Sequence, residues 1–156
     1  MARAANRAHV DKWIAVPLTA AAGALVAMQA PINSGLGKSV GTFAAATISF
    51  TIGTILLLTI CVTVGGGFGD AGHIRDLNWY YLTGGALGAA YVTTVLVTVR
   101  ELGAGGVTAA TIAGQLSMSV ALDRAGVLGL PEKAVTVPRV IGVVLLAAGV
   151  FLIVRE

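Results

Sequence analysis

Side-chain amides inside apolar segments are the residues of this chain best suited to chemistry. Gln29 and Asn33 flank Pro31 at the end of a charge-free run that begins at Trp13, and Gln115 stands in the middle of a later apolar run. Burying an amide in hydrocarbon without a hydrogen-bond partner costs roughly 2–7 kcal/mol. These side chains therefore predict a site for a polar solute or hydrogen bonds between helices in a membrane.

Pro31 decides how Gln29 and Asn33 are interpreted. The two amides are four residues apart and would share a helix face, but proline disfavours helical geometry at the preceding Ala30 and predicts a break there. A broken helix end frees backbone carbonyls beside the amides, an arrangement that transporters use to hold polar solutes. Alternatively, the amides cap the helix end and order a tight turn. The deeper position of Gln29 favours a binding role for that residue.

Gln115 and Tyr91 are the remaining candidates for substrate binding. Gln115 either lines a cavity or joins two helices through hydrogen bonds, typically worth under about 1 kcal/mol. Tyr91 lies in the middle of another apolar run, beside Thr93 and Thr94. Core packing with a satisfied hydroxyl is the simpler interpretation of Tyr91, and a place at the outer edge of the site is the alternative.

The sequence offers no catalytic or metal-binding pattern, so we predict neither an enzyme nor a cofactor. His9 and His73 lie in separate polar segments without neighbouring carboxylate or cysteine clusters, and Cys61 is the only cysteine. The segment from Gly35 to Ser39 ends like a phosphate-binding loop, but Ile32 stands where that motif needs glycine. Catalytic residues are therefore not assigned.

The elements that must position these side chains are membrane-spanning helices. The chain has 156 residues, of which 56% are hydrophobic and 11% charged, against about 25% charged in soluble domains. We predict an all-α integral membrane protein, a single membrane domain over residues 1–156, with five transmembrane helices. The predicted spans are residues 13–30, 42–64, 79–99, 105–122 and 137–154.

The basic residues predict an orientation. With five spans, one side of the membrane holds Arg3, Arg7, Lys12, Arg75, Arg124, Lys133 and Arg139, and the other holds Lys38, Arg100 and Arg155. The excess of seven over three favours a cytoplasmic N-terminus, with residues 1–12 as a basic cytoplasmic segment. The small net charge without a basic stripe gives no reason to expect nucleic acid as a partner.

Glycines at helical spacing predict close helix contacts. Gly84 and Gly88 form a GxxxG pattern in the third span, and Gly142 and Gly149 repeat after seven residues in the fifth. Small residues let helix backbones approach closely in a membrane. We expect these four glycines to lie in helix-packing or dimer contacts.

These motifs together resemble the YdcZ-type branch of the drug/metabolite transporter (DMT) superfamily, which is related to the small multidrug resistance transporters. The resemblance extends from about Gly23 to Val154. The residues that carry it are Gln29 to Asn33, Leu36-Gly37, Ser49-Phe50, Gly53, Trp79 to Tyr81, Gly84-Gly85, Gly88, Ala113 to Gln115, Asp123 and Gly126 to Gly129. The last helix, Gly142 to Val150, resembles the helix through which the small multidrug transporters dimerise.

The resemblance implies half of a transporter bundle in a bacterial inner membrane. The chain would pair with a second copy or a related chain, possibly in antiparallel orientation, to form the pathway. The small multidrug transporters carry a membrane-embedded glutamate in the first span, whereas residues 13–30 contain none. A hydrogen-bonding site without charge suits a neutral, zwitterionic or amide-bearing solute better than a cation exchanged for protons.

We therefore expect a dimeric subunit that moves a small polar, zwitterionic or amphipathic metabolite by alternating access within the lipid bilayer. Gln29→Ala and Gln115→Ala should abolish substrate-dependent uptake. A non-transporting assembly or regulatory subunit is one alternative function. A channel-like facilitator is another.

Overall fold

Four α-helices make up most of the protein. The structure is a computed structural model that describes residues 11–69 and 71–155. The helices are α1 (Lys12–Val40), α2 (Thr42–Thr63), α3 (Gly84–Ala125) and α4 (Val137–Val154), and two short 3₁₀ helices cover Ala71–Asp76 and Trp79–Leu82. Within the described residues there is no β-strand. All four α-helices are long and apolar enough to cross a membrane, which confirms the all-α membrane fold.

The N-terminal charges are not part of this description. Arg3 and Arg7, on which the predicted basic segment over residues 1–12 largely depends, lie outside the described residues. The orientation of the chain therefore remains a prediction from the sequence.

Helix α1 continues through Pro31, so the predicted break at this proline is wrong. A proline in a helix interior removes one backbone hydrogen bond and costs about 3 kcal/mol. In a bilayer, however, an irregular segment would leave several backbone groups without partners, which is more unfavourable still. The turns after Pro31 are also buried, at Asn33, Ser34 and Gly37. The helix ends instead at Gly41, where φ is +89°.

Helix α3 is a hairpin of two helical arms. A straight helix of 42 residues would be about 63 Å long, twice the roughly 30 Å thickness of the hydrocarbon core. Gly103 interrupts it with φ 65° and ψ 170°. Tyr91 and Gln115, which lie at equal sequence distance on either side of Gly103, line the same cavity. The arms, residues 84–102 and 104–125, therefore run antiparallel, as expected for the predicted third and fourth spans.

The small core lies where α1, α2 and α3 meet. Ala30 of α1 packs with Val95, Val99 and Val107 from both arms of α3. A second cluster joins Ala45 and Ala46 of α2 to Val92 and Leu96 of α3. Most other apolar side chains are exposed in the isolated chain, as expected for surfaces that face lipid or another subunit.

Helix α4 packs along the second arm of α3 in the opposite direction. At one end, Arg139 Nη1 lies 3.1 Å from Asp123 Oδ2, an ion-pair distance outside hydrogen-bond geometry. The backbone N–H of Lys133 donates to the Asp123 carbonyl at 2.8 Å. At the other end, Gly106 lies beside Val154. The contacts at both ends fix the direction of α4.

The four predicted packing glycines differ in their surroundings. A Cβ at Gly88 would contact the ring of Phe50 on α2 at 3.6 Å, whereas one at Gly84, Gly142 or Gly149 would have no described atom within 4 Å. Gly142 and Gly149 share the half-buried face of α4, and α4 packs against α3 alone among the described helices. The α4 glycines therefore lie toward α3, where they leave space.

Candidate functional site

A cavity of about 430 Å³ lies between α1 and the two arms of α3. On α1 it is bordered by small residues at helical spacing, Ala20, Gly23, Ala24 and Ala27. These residues lie on one face of the helix because they are three or four positions apart. Their small side chains leave room that larger residues would fill. The run of alanine and glycine in α1 thus forms one wall of the cavity.

The polar groups of the cavity come from both arms of α3. Tyr91 belongs to the first arm, and Thr108, Thr111 and Gln115 belong to the second. None of the side chains lining the cavity is an acid, a lysine, an arginine or a histidine. The Gln115 amide makes no hydrogen bond to the described residues. It therefore offers two donors and one acceptor to a molecule in the cavity.

The structure brings Tyr91 and Gln115 together but separates Gln29 from them. Gln29 is exposed and does not line the Gln115 cavity. The uninterrupted α1 explains this placement. Ala27 and Ala30 face the cavity, and Gln29, which lies between them in the sequence, is on another face of the helix. Gln29 lies near the middle of α1, so in a membrane its amide needs cover from another molecule.

Asn33 is buried but does not line the cavity either. Its side chain is only 5% exposed, and Nδ2 donates no hydrogen bond within the described part of the chain. An unpaired buried donor costs about 1–3 kcal/mol. Since α1 continues past Pro31, Asn33 does not cap a helix end, so that alternative is wrong.

Thr108 and Thr111 are cavity residues that we did not predict from the sequence. Both lie on the face of α3 that carries Gln115, seven and four positions before it. Helical spacing from Gln115 would have identified them. They add two hydroxyl groups to the wall opposite α1.

A second groove of about 450 Å³ lies between α2 and the first arm of α3. It is wide and shallow, and its polar groups are threonines. The hydroxyls of Thr47 and Thr51 donate to the backbone carbonyls of Phe43 and Thr47 at 2.9 and 2.8 Å. Two of its four threonine hydroxyls are thus already used, and no amide lines it, so the groove is a weaker candidate site than the Gln115 cavity.

Comparison with known proteins identifies the family. The family model described as "Putative inner membrane exporter, YdcZ" matches residues 14–152. No curated protein and no solved structure matches the chain significantly. The matched region contains all four helices almost entirely and every residue of the Gln115 cavity. This membrane protein therefore belongs to the YdcZ family of DMT-type inner membrane exporters.

Proposed function

We propose that this transporter moves a small neutral or zwitterionic amphipathic solute through the Gln115 cavity by alternating access, as a dimer. The observation that carries the proposal is the chemistry of the cavity wall. The lining combines apolar side chains with one amide and three hydroxyl groups, and none of its side chains carries a charge at neutral pH. Ligand sites commonly combine such apolar walls with a few polar groups that orient the ligand.

The size and charge of the cavity limit the solute. A volume of about 430 Å³ lies at the lower end of the range for small-molecule sites, roughly 300–1,000 Å³. A cation would enter without a carboxylate to pair with it, which is unfavourable in a low-dielectric site. A neutral solute, or a zwitterion whose charges reach the polar end of the cavity, avoids that cost.

The exposed amide of Gln29 supports a dimer. Gln29 lies near the middle of a membrane helix and is left exposed by the described residues. A second copy packed against this face would supply a hydrogen-bonding partner or would place Gln29 on a shared pathway. On this basis, Gln29→Ala is still expected to abolish uptake, through the dimer rather than through the Gln115 cavity.

Exchange in proteoliposomes tests the proposal. Vesicles containing the purified protein are loaded with a mixture of small amides, neutral amino acids, polyols, organic cations and organic anions, and the loss of each compound is followed by mass spectrometry. We expect saturable, protein-dependent loss of neutral or zwitterionic compounds. Gln115→Leu should slow it at least about tenfold, the effect of losing roughly 1.4 kcal/mol of hydrogen bonding.

Ser117→Ala is the matched control, because Ser117 lies on the same helix outside the cavity. Its hydroxyl donates to the Ala113 carbonyl at 2.8 Å, so the substitution should leave transport unchanged. Transport of organic cations alone, or wild-type exchange by Gln115→Leu, would contradict the proposed site. Transport that rises linearly without saturation would instead favour a channel-like facilitator.

A further inference from the structure

A third pocket, which is lined by two basic residues, lies where α1 ends and α3 turns. Lys38 and Arg100 both line this pocket of about 360 Å³, together with Ser34 and Ala104. No polar group of the Gln115 cavity belongs to it. The proposed transport function leaves its two positive charges unexplained.

The guanidinium group of Arg100 is held against α1. Arg100 Nε lies 3.4 Å from Ser34 Oγ, at the long limit of a hydrogen bond. A Cβ added to Gly37 would lie 3.2 Å from Arg100 Nη2. The absence of a side chain at Gly37 therefore lets Arg100 lie close to the helix surface. Most of the five donors of the guanidinium group remain available in this position.

Neither cation is neutralised by a carboxylate within residues 11–69 and 71–155. The ion pairs there join Arg124 to Glu132, and Lys133 and Arg139 to Asp123. Glu101 follows Arg100 directly in the helix, and neighbouring positions do not face each other. Both side chains are exposed at the edge of the pocket, and an anion bound there would be attracted by both charges.

The helix ends beside the pocket add partial charges of both signs. Ala104, in the pocket wall, is the first residue of the helical arm that begins after Gly103. The N-terminus of a helix carries a partial positive charge, equivalent to about half an elementary charge. The C-termini of α1 and of the first arm of α3 lie at the same end and carry the opposite partial charge. The positive potential of the pocket therefore comes from Lys38 and Arg100.

The pocket lies at the level of the lipid headgroups. Helix α1 has 29 residues and is about 43 Å long, longer than the roughly 30 Å hydrocarbon core. Lys38 is two residues from its end, and Arg100 is three residues before the turn at Gly103. Both charged groups can therefore reach a phosphate at the membrane surface.

We propose that Lys38, Arg100 and Ser34 form a binding site for a phosphate-type oxyanion at this end of the bundle. Arginine binds phosphate through paired N–H donors, and lysine contributes a point charge. The phosphate group can belong to an anionic lipid or to a soluble ion. The site is independent of the proposed transport function, because its residues lie outside the Gln115 cavity.

Two binding measurements on the full chain test this site. Lipid-depleted protein in neutral detergent is titrated with inorganic phosphate, and the shift of its thermal unfolding temperature is followed. In parallel, retention of phosphatidylglycerol, against an uncharged diacylglycerol, is measured by native mass spectrometry. A response to phosphate alone assigns the site to a soluble anion, and retention of phosphatidylglycerol assigns it to a lipid headgroup.

Lys38→Gln and Arg100→Gln should each weaken binding at least about tenfold. Arg155→Gln is the matched control, since Arg155 lies at the same end of the bundle but outside the pocket. Gly37→Ala keeps both charges and should weaken binding several-fold by displacing the guanidinium group. Gly53→Ala is the control for this variant, because an added Cβ there has no neighbour within 4 Å. It should leave binding unchanged.

Absence of binding to both phosphate and phosphatidylglycerol would overturn the proposal. An equal loss in Arg155→Gln and Arg100→Gln would do the same, because it would indicate a diffuse effect of charge. If Lys38→Gln and Arg100→Gln do not fold, the comparison of Gly37→Ala with Gly53→Ala decides. Exchange of neutral solutes tests the Gln115 cavity separately, so failure of one proposal leaves the other intact.

Discussion

Asn33 has a buried amide nitrogen without a hydrogen-bond partner in the described residues. The side chain is 95% buried, and Nδ2 has no acceptor among the described residues. Unsatisfied buried donors are rare in folded proteins and often mark functional positions. Asn33 also lies on the turn of α1 that precedes the Arg100 contact. We therefore propose that this amide binds a partner during transport.

We predict that Asn33→Leu retains or gains stability while losing transport. Leucine has the same branching of heavy atoms as asparagine, and it removes a donor whose burial costs about 1–3 kcal/mol. The thermal unfolding temperature in detergent should therefore stay the same or rise. Solute exchange should fall at least about tenfold, since the amide can no longer bind a partner.

Asn33→Ser is the matched control for that variant, because it keeps a polar group that can donate a hydrogen bond. It should retain part of the exchange activity. A variant Asn33→Leu that unfolds at a clearly lower temperature and exchanges solute normally would show that the amide only supports the fold. The stability measurement and the exchange measurement thus separate the two roles.

At the scale of secondary structure, the turn at Gly103 brings Tyr91 and Gln115 together. Its φ of 65° and ψ of 170° lie in a region that is essentially restricted to glycine. A side chain there would be strained whatever space surrounds it. The cavity wall therefore depends on one glycine that is not itself part of the cavity lining.

We predict that Gly103→Ala disrupts the hairpin of α3. Strain of roughly 1–3 kcal/mol would be concentrated at the turn between the two arms. The variant should express poorly or unfold at a lower temperature, and protein that survives should lose exchange activity. Thermal unfolding in detergent and the yield of monodisperse protein measure this effect.

Gly105→Ala provides the comparison for the turn. Gly105 lies in the helical arm, and an added Cβ has no neighbour within 4 Å. Alanine also favours a helix over glycine by about 1 kcal/mol. Gly105→Ala should therefore be neutral or stabilising, and equal damage in both variants would contradict a special role for Gly103.

The helices could be predicted from the sequence, because long charge-free runs have few other stable structures in a bilayer. The connection over residues 100–104 was predicted too, and it contains the turn at Gly103. The break at Pro31 was predicted wrongly, since local preference was outweighed by the lack of water and by burial of the following turns. Membership of the YdcZ family was predicted from the motifs and is confirmed.

The composition of the site was harder to predict. Gln115 and Tyr91 were chosen for their polarity. Whether they share a cavity depends on which face each arm of α3 turns toward α1. The separation of Gln29 from that cavity depends on the same rotation. Hydrophobic periodicity is weak in these helices because most faces are apolar, so the sequence carries little information about rotation.

At the scale of the whole molecule, the two proposed sites lie at different depths and differ in chemistry. The Gln115 cavity offers uncharged hydrogen-bonding groups, and the pocket of Lys38 and Arg100 offers positive charge. A solute with a neutral body can occupy the first without competing for the second. The basic pocket is accordingly suited to bind an anion at the membrane surface, as proposed above, independently of the solute.

The surface of α4 predicts how two copies meet. Leu145 lies near the middle of α4 and is 66% exposed, whereas its neighbour Leu146 is half-buried on the side of α3. Exposed apolar residues at spacings of three and four positions continue from Leu145 along this outer face, which suits packing against another helix. We expect α4 to pair with α4 of a second copy through this face, a contact distinct from the Gln29 face of α1 because α1 and α4 do not touch each other.

Disulfide cross-linking in membranes measures this pairing. Cys61 is first replaced by serine, and Leu145→Cys and Leu146→Cys are compared after mild oxidation. Because position 145 is near the helix midpoint, it lies close to itself in parallel and antiparallel pairs alike. Leu145→Cys should form covalent dimers, and Leu146→Cys, which differs only in its face, should form few. Equal cross-linking at both positions would argue against the outer face of α4 as the interface.

Ile141→Cys then distinguishes the two orientations of the pair. Ile141 lies one turn before Leu145 on the exposed side of α4. In a parallel pair it meets its own counterpart, whereas in an antiparallel pair the two copies of this position are just over two turns apart, roughly 12 Å. The excess of basic residues on one side favours insertion of every chain in the same orientation. A homodimer inserted in this way must be parallel, so Ile141→Cys should cross-link as efficiently as Leu145→Cys. Cross-linking at position 145 without any at 141 would instead require copies of opposite orientation.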